Sequence, residues 1–279
     1  MRSIPADTVR ERVRDMVMEA ATRLPDDIVE ALRRGLERET EATARDILGQ
    51  LLENAQLACD SKLPLCQDTG IAVFFVEMGE DCRIKGAGLK DALTEAAVEA
   101  YDRANLRKSL CHPLTRRNTG NNTPPMFHIE PAPGSELKIR FMAKGGGSEN
   151  MSRCTMLTPA QGWEGIKRFV VRRMAESGPN PCPPTIVGVG IGGSFDYAPV
   201  LAKDALFRPL DREHPDPEVA AMENELLEEI NSLGVGPMGL GGRTTSLGVR
   251  IGMSPCHIAS LPLAVNVQCH SSRRMEVII

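Results

Sequence analysis

Apolar residues recur every three or four positions through the first part of the chain. Val9, Val13, Met16, Val17, Ala20 and Leu24 form one such series, and Leu48, Leu51, Leu52 and Ala55 another. That spacing puts the apolar side chains on one stripe of a helix, so the first sixty residues are predicted as a helical scaffold. The pattern then changes. Residues 71–77, IAVFFVE, are a short apolar run of strand type, directly after the polar turn Cys66-Gln67-Asp68-Thr69-Gly70. A helix is predicted over 89–104. Across 126–144, Leu137, Ile139 and Phe141 alternate with polar neighbours after Pro131-Ala132-Pro133-Gly134, which predicts a hairpin leading into Gly145-Gly146-Gly147. Helices over 163–174 and 218–233 and strands over 185–189 and 263–267 complete the reading.

These elements define a mixed α/β chain, with a helical N-terminal region followed by a sheet-containing domain whose glycine-rich loops lie at strand ends. No internal repeat, low-complexity tract or linker divides it. Residues 1–279 are therefore expected to form one domain, with two lobes as its variant and residues 1–60 as a scaffold within it; the length is enough to bury a substantial core.

Composition narrows the function classes. Hydrophobic residues at 42% and charged residues at 25% argue against disorder, and a net charge of -4 gives no general attraction to nucleic acid or anionic membranes. A small anionic ligand would need local positive charge. No run of about 18 apolar residues exists to cross a bilayer, and the first residues, MRSIPADTVRERVRDMV, carry charges where a signal peptide needs an apolar stretch. A cytoplasmic location is expected. In such a chain the eight cysteines are expected to stay reduced or to bind metal.

Three of them sit in loops beside strand signals: Cys66 in CQDTG, Cys182 in PNPCPPTIVGVG and Cys269 in VNVQCHSSRR. More than eighty residues separate each from the next, unlike the clustered spacing of zinc fingers or ferredoxins, and spacing alone leaves them as ordinary thiols. The Cys-His pairs at 111–112, 256–257 and 269–270 hint at zinc, but adjacent residues of a strand point to opposite faces. A further motif, Gly188-x-Gly190-x-x-Gly193 after a strand, with Asp211 some twenty residues on, fits the dinucleotide-binding pattern of a NAD-dependent oxidoreductase. Against it, Cys182 and two prolines precede the strand, and no further βαβ series completes a dinucleotide fold.

Context supplies what spacing does not. CQDTG, the RKSL and NTGNNTPP segments, AKGGGSENMS, CPPTIVGVGIGG and PCHIASLPLAVNVQCHSSRR together resemble the class I, iron-sulfur fumarate hydratases and the related L-tartrate dehydratase α subunits, over residues 26–274. The resemblance implies a 4Fe-4S cluster held by Cys66, Cys182 and Cys269, with one iron left open as a Lewis acid. It implies Gln67, Asp68, Arg107, Gly146 and Gly147 around the substrate, and Asp68 and His257 as catalytic groups. Each has a plainer reading beside it: Asp68 capping its own turn, Arg107 exposed at a helix end, His257 a capping or core histidine, the glycines a flexible exit. Cys154, Cys59, Cys82, Cys111 and Cys256 read as ordinary thiols, and His270 has no assigned role. Asn118, Thr119, Asn121 and Asn122 form a polar loop with no atom assigned. The implied reaction is reversible hydration of fumarate to L-malate, with L-tartrate dehydratase and mesaconate hydratase α subunits as alternatives and a non-catalytic cluster-bearing subunit as the reading outside that class. A separate β subunit is also implied, in a two-fold α2β2 assembly, because the chain stops ten residues after Cys269 and family enzymes carry a second domain.

Overall fold

The computed structural model describes all residues, Met1–Ile279. The chain runs through β1 (Arg2–Pro5), α1 (Ala6–Thr22), α2 (Asp26–Arg38), α3 (Ala42–Ser61), β2 (Ile71–Gly79), β3 (Cys82–Lys85) and α4 (Leu89–Arg103). It continues through β4 (Met126–Ala132), β5 (Leu137–Lys144), α5 (Gly146–Glu149), β6 (Arg153–Leu157), α6 (Gly162–Ser177) and β7 (Thr185–Gly193). Last come α7 (Tyr197–Ala205), α8 (Pro217–Ser232), β8 (Ser246–Cys256), β9 (Leu261–Gln268) and β10 (Arg274–Ile278). The mixed α/β class is as expected. Two compact units emerge: unit 1 comprises Met1–Pro25, Ala55–Gly146 and Arg273–Ile279, and unit 2 comprises Asp26–Asn54 and Gly147–Ser272. The predicted N-terminal helices form as α1 to α3, with α1 in unit 1 and α2 in unit 2.

In unit 1 the sheet order is β10-β5-β2-β4. Ala72, Phe74 and Val76 of β2 and Leu137, Ile139, Phe141 and Ala143 of β5 pack with Val9, Val13 and Val17 of α1 and Leu93, Ala96, Ala97 and Ala100 of α4. The period-2 pattern of the strands thus meets the period-3.6 stripe of the helices. The hairpin predicted over 126–144 does not form, although both strands do. β2 lies between them, parallel to β4 and antiparallel to β5. Its run from Ala72 to Val76 is buried throughout, which favours a central position flanked by two partners over an edge. Helix α4 supplies the crossover that a parallel neighbour needs. The 131–134 turn is held instead by the segment after β2, since Glu80 N–H donates to Ala132 O and Asp81 N–H to Gly134 O.

In unit 2 the order is β6-β9-β7-β8, with β8 parallel and β9 antiparallel to β7. Val187, Val189 and Ile191 of β7 and Leu263, Val265 and Val267 of β9 pack with Ile166, Val170 and Met174 of α6 and Leu226 and Ile230 of α8. On the other face Ala198 and Ala202 of α7 meet Ala264. The glycines of the dinucleotide-like motif lie inside β7, and a Cβ at Gly188 or Gly190 would collide with the carbonyl oxygen of Ala202 or Ala198. They let α7 lie directly on the strand and form no phosphate-binding turn, so the NAD reading has no structural basis in this motif. No helix of the chain is long and apolar enough to cross a membrane.

Candidate functional site

Four segments converge at one end of the unit 1 sheet. The Cys66–Gly70 turn enters β2 where Ile71 pairs with Lys144, the last residue of β5. Gly145 and Gly146 leave β5 at the same point. The 107–125 loop enters β4, whose first residue pairs with Val73, and Arg273 precedes β10, whose first residue pairs with Met142.

The turn is fixed from several sides. Asp68 Oδ1 accepts the Gly70 N–H at 3.0 Å and Oδ2 the Gly146 N–H at 2.7 Å. Asp68 therefore caps its own turn, as the plainer reading expects, and also grips the glycine loop. The Gly146 N–H is thus taken by this carboxylate and is not open to an external anion. Tyr101 OH lies 2.8 Å from Thr69 O and 3.0 Å from Gly70 O, and Asn122 Nδ2 donates to Gly70 O at 3.1 Å. Asn122 Oδ1 accepts the N–H groups of Ser109 and Leu110, and the Thr69 hydroxyl donates to Arg107 O. Gly70 has φ +75°, and a Cβ there would meet the Lys144 backbone at 2.8 Å, so only glycine closes this turn. Burial, then the negative Asp68, push Tyr101 up to about 12, against the opposing Arg273 charge and Asn122.

Cys66 is half-buried, with Sγ accepting the Asp68 N–H at 3.4 Å and lying 3.4 Å from Gln67 Oε1. Gln67 and Arg107 are exposed. Unit 1 thus brings Cys66, Gln67, Asp68, the Arg107 backbone and Gly146 together. Sequence reading missed Tyr101 as the clamp of the turn and assigned Asn122 no atom.

Unit 2 gathers Cys182 and Cys269 by strand pairing. β7 begins three residues after Cys182, β9 ends at Gln268, and Ile186 pairs with Gln268. The His270 ring joins the two segments, its Nδ1 lying 3.0 Å from Cys182 O. A carbonyl only accepts, so that nitrogen carries the proton. Cys182 is exposed and has φ +54°, the left-handed region that a side chain rarely occupies. Such positions persist where the surroundings over-determine them, and they cluster at functional sites. Cys269 Sγ receives Gln268 Nε2 at 3.6 Å. Glu149, after Gly147 in α5, ties the same end together, accepting from Lys203 at 2.6 Å and Asn266 at 3.1 Å. Glu39 holds the segment that leads into β8. Its carboxylate, 2% exposed, accepts N–H bonds from Thr40, Glu41, Arg243 and Thr244. Burial opposes the charge, but those donors win and hold Glu39 below the usual carboxylate range.

His257 does not join this group within unit 2. It lies at the β8–β9 tip, separated from Cys269 by the whole of β9, about 25 Å at roughly 3.3 Å per residue. There it lines an apolar cavity of about 370 Å³ with Trp163, Ile166, Ile191, Met253 and Ile258. Its Nδ1 accepts the Ala259 N–H at 3.1 Å, the capping role of the plainer reading.

Neither unit alone gathers three or more His, Cys, Asp or Glu side chains into a metal site. The donor chemistry still separates the thiols. Cys66 and Cys269 receive N–H donors at sulfur, as metal-bound thiolates do, and Cys66 Sγ also lies against the Gln67 amide oxygen. Cys154 contacts a carbonyl, Phe195 O, at 3.5 Å, and burial pushes its thiol up. Cys154 suits a protonated structural thiol, and the N–H donors at Cys66 and Cys269 are compatible with a bound thiolate.

Thiols and a carboxylate thus lie at sheet ends of a mixed α/β fold. The family model described as Fumarate hydratase (Fumerase) matches residues 10–278. The chain belongs to this family, and it is a hydro-lyase of the fumarate hydratase and tartrate dehydratase α type. It is 41% identical to a Methanocaldococcus jannaschii protein named, provisionally, L(+)-tartrate dehydratase subunit alpha, over 95% of each chain. It is 35% identical to the L(+)-tartrate dehydratase subunit alpha of Escherichia coli O157:H7, covering 93% of this chain and 86% of that one. Against the protein of the same name in Escherichia coli strain UTI89 the identity is 36%, over 91% and 85%.

Proposed function

We propose that this chain is the α subunit of a 4Fe-4S hydro-lyase that hydrates fumarate reversibly to L-malate, with Cys66, Cys182 and Cys269 as the cluster ligands. When bound, the cluster supplies a Lewis-acidic iron without a protein ligand. The chain's own groups do the rest. Asp68 handles the proton on the carbon beside the hydroxyl, its carboxylate oriented by the Gly70 and Gly146 N–H groups. Gln67 extends from the same turn toward the substrate hydroxyl. Arg107, exposed and tied to the turn through its backbone, takes a substrate carboxylate in a bidentate contact. Gly146 and Gly147 are exposed, and a Cβ at either would make only ordinary contacts, 3.9 Å and 3.4 Å. Bare backbone there leaves room for the substrate. His257 stands in the proposal on its motif alone.

The observation that carries this reading is the shared turn in unit 1, where one five-residue segment presents a sulfur, an amide and a fixed carboxylate together. A second reading, dehydration of L(+)-tartrate, is favoured by the names of the relatives. Their names as alpha subunits also support a β partner, which would close the site against water, in a two-fold α2β2 assembly. The test is anaerobic turnover of fumarate, L(+)-tartrate and mesaconate by the chain alone and with its β partner. Fumarate as the best substrate of the complex, with little turnover by the chain alone, is the expected result. Preference for tartrate would select the second reading, and full activity of the isolated chain would remove the partner.

A further inference from the structure

Arg273 is among the largest enclosed side chains of the protein, at 2% exposure. Its Nε is buried without a hydrogen-bond partner, and its guanidinium forms no ion pair. A buried, uncompensated cation is costly, and native structures keep one where an anion arrives to meet it. The nearby carboxylate does not fill that role: Asp68 accepts the Gly70 and Gly146 N–H groups and forms no ion pair with Arg273. Position matters as well. Arg273 O accepts the Ala143 N–H at 3.0 Å, beside the point where β5 passes through buried Lys144 into Gly145 and Gly146. Arg273 therefore belongs to the same sheet end as the Asp68 turn.

We propose that Arg273 is a second carboxylate-binding residue of this sheet end, taking one carboxylate of a four-carbon dicarboxylate while Arg107 takes the other. The inference rests on the proposed reaction for its ligand. A planar fork suits a carboxylate bidentately, and enclosure from water strengthens the contact.

The test uses the full chain, anaerobically reconstituted, as wild type, Arg273→Lys and Arg273→Met. The probe is succinate, a saturated dicarboxylate that cannot add water, with chloride at equal ionic strength as control. Calorimetry should show succinate Kd weakened about 10- to 100-fold in Arg273→Met, and less in Arg273→Lys, with the succinate-induced rise in Tm reduced in step. Without succinate, Arg273→Met should melt no lower than wild type, because an unpaired buried charge has been removed. If Arg273→Met fails to fold, Arg273→Lys alone decides through its Kd. Wild-type succinate affinity in the variants overturns the inference, as does a wild type that ignores succinate. A large loss of Tm with unchanged Kd assigns the guanidinium to structure and overturns it too. The reaction is judged separately: succinate binding through Arg273 with no turnover of fumarate or tartrate would refute the reaction and keep the site, and turnover with unchanged kcat and KM in Arg273→Met would do the reverse.

Discussion

In unit 1 the turn carrying Cys66, Gln67 and Asp68 is held by side chains reaching in from distant segments, Tyr101 and Asn122 above all, whereas in unit 2 Cys182 and Cys269 are brought together by the pairing of β7 with β9. The first arrangement fixes polar atoms one by one. The second fixes a pair of backbone segments and leaves one cysteine in a left-handed conformation. The difference suits the chemistry proposed for each: orienting a proton-transfer group needs directional hydrogen bonds, while holding thiolates needs a rigid platform.

The largest effect should come from Asp68→Asn, which removes the charge and leaves one oxygen where two now accept the Gly70 and Gly146 N–H groups. The β-partnered enzyme should lose about 10²- to 10⁴-fold in kcat, beyond what the loss of one N–H bond, about 1–3 kcal/mol of stability, accounts for, measured by anaerobic steady-state kinetics beside thermal unfolding. A variant that kept wild-type kcat would reduce Asp68 to its capping role.

Next is Glu39→Gln, which strikes the support of unit 2. An amide cannot accept all the N–H donors that Glu39 now satisfies, and the loss should be about 3 kcal/mol of unfolding free energy by urea titration. The pH dependence gives a second check. Glu39 lies below its ordinary value of 4.5, so the unfolded chain binds its proton more readily than the folded one. Its stabilisation is complete above that value and is lost as pH falls through the lower folded value. Glu39→Gln should flatten that acid limb, and an unchanged limb would remove Glu39 as its cause.

The smallest effect is expected from Tyr101→Phe, which loosens the unit 1 turn by removing one hydroxyl, at about 1–2 kcal/mol. Here the sign reverses. Tyr101 is pushed up from 10.0 to about 12, so between these values the unfolded chain releases a proton that the folded one keeps. Stability should fall as pH rises through that window, and the variant should lose this part of the decline. Equal alkaline slopes for wild type and variant would contradict the assigned cause.

Local pattern recovered much of this architecture. The stripe from Val9 to Leu24, the apolar run of β2 and the polar turn before it each declare themselves within a few residues. Pairing did not declare itself, since β4 and β5 are neighbours in sequence but β2 separates them in the sheet. β8 was missed because Gly248, Gly252 and Arg250 interrupt its apolar run; the buried Glu223, which pairs with Arg250 and accepts the Ile251 N–H, and Pro209 O, which also accepts from Arg250, accommodate a charge there. α7 was missed because its buried face is alanine packed on glycine, a signal with little hydrophobic contrast. At the site, Cys66, Gln67 and Asp68 were readable because they share one turn. Tyr101, Asn122 and Arg273 reach that end of the sheet from 31 residues or more along the chain; the polar loop marks Asn122 without giving it a partner, and nothing local gives Tyr101 or Arg273 a role.

The central proposal is that Cys66, Cys182 and Cys269 are the ligands of one cluster. Its most direct test is the visible absorption of the anaerobically reconstituted chain, comparing wild type with Cys66→Ser, Cys182→Ser, Cys269→Ser and Cys154→Ser. The account predicts the broad 4Fe-4S absorption in the wild type and in Cys154→Ser, and its loss in each of the other three. A chain that loses the cluster with Cys154→Ser, while keeping it with Cys66→Ser or Cys182→Ser, would contradict it.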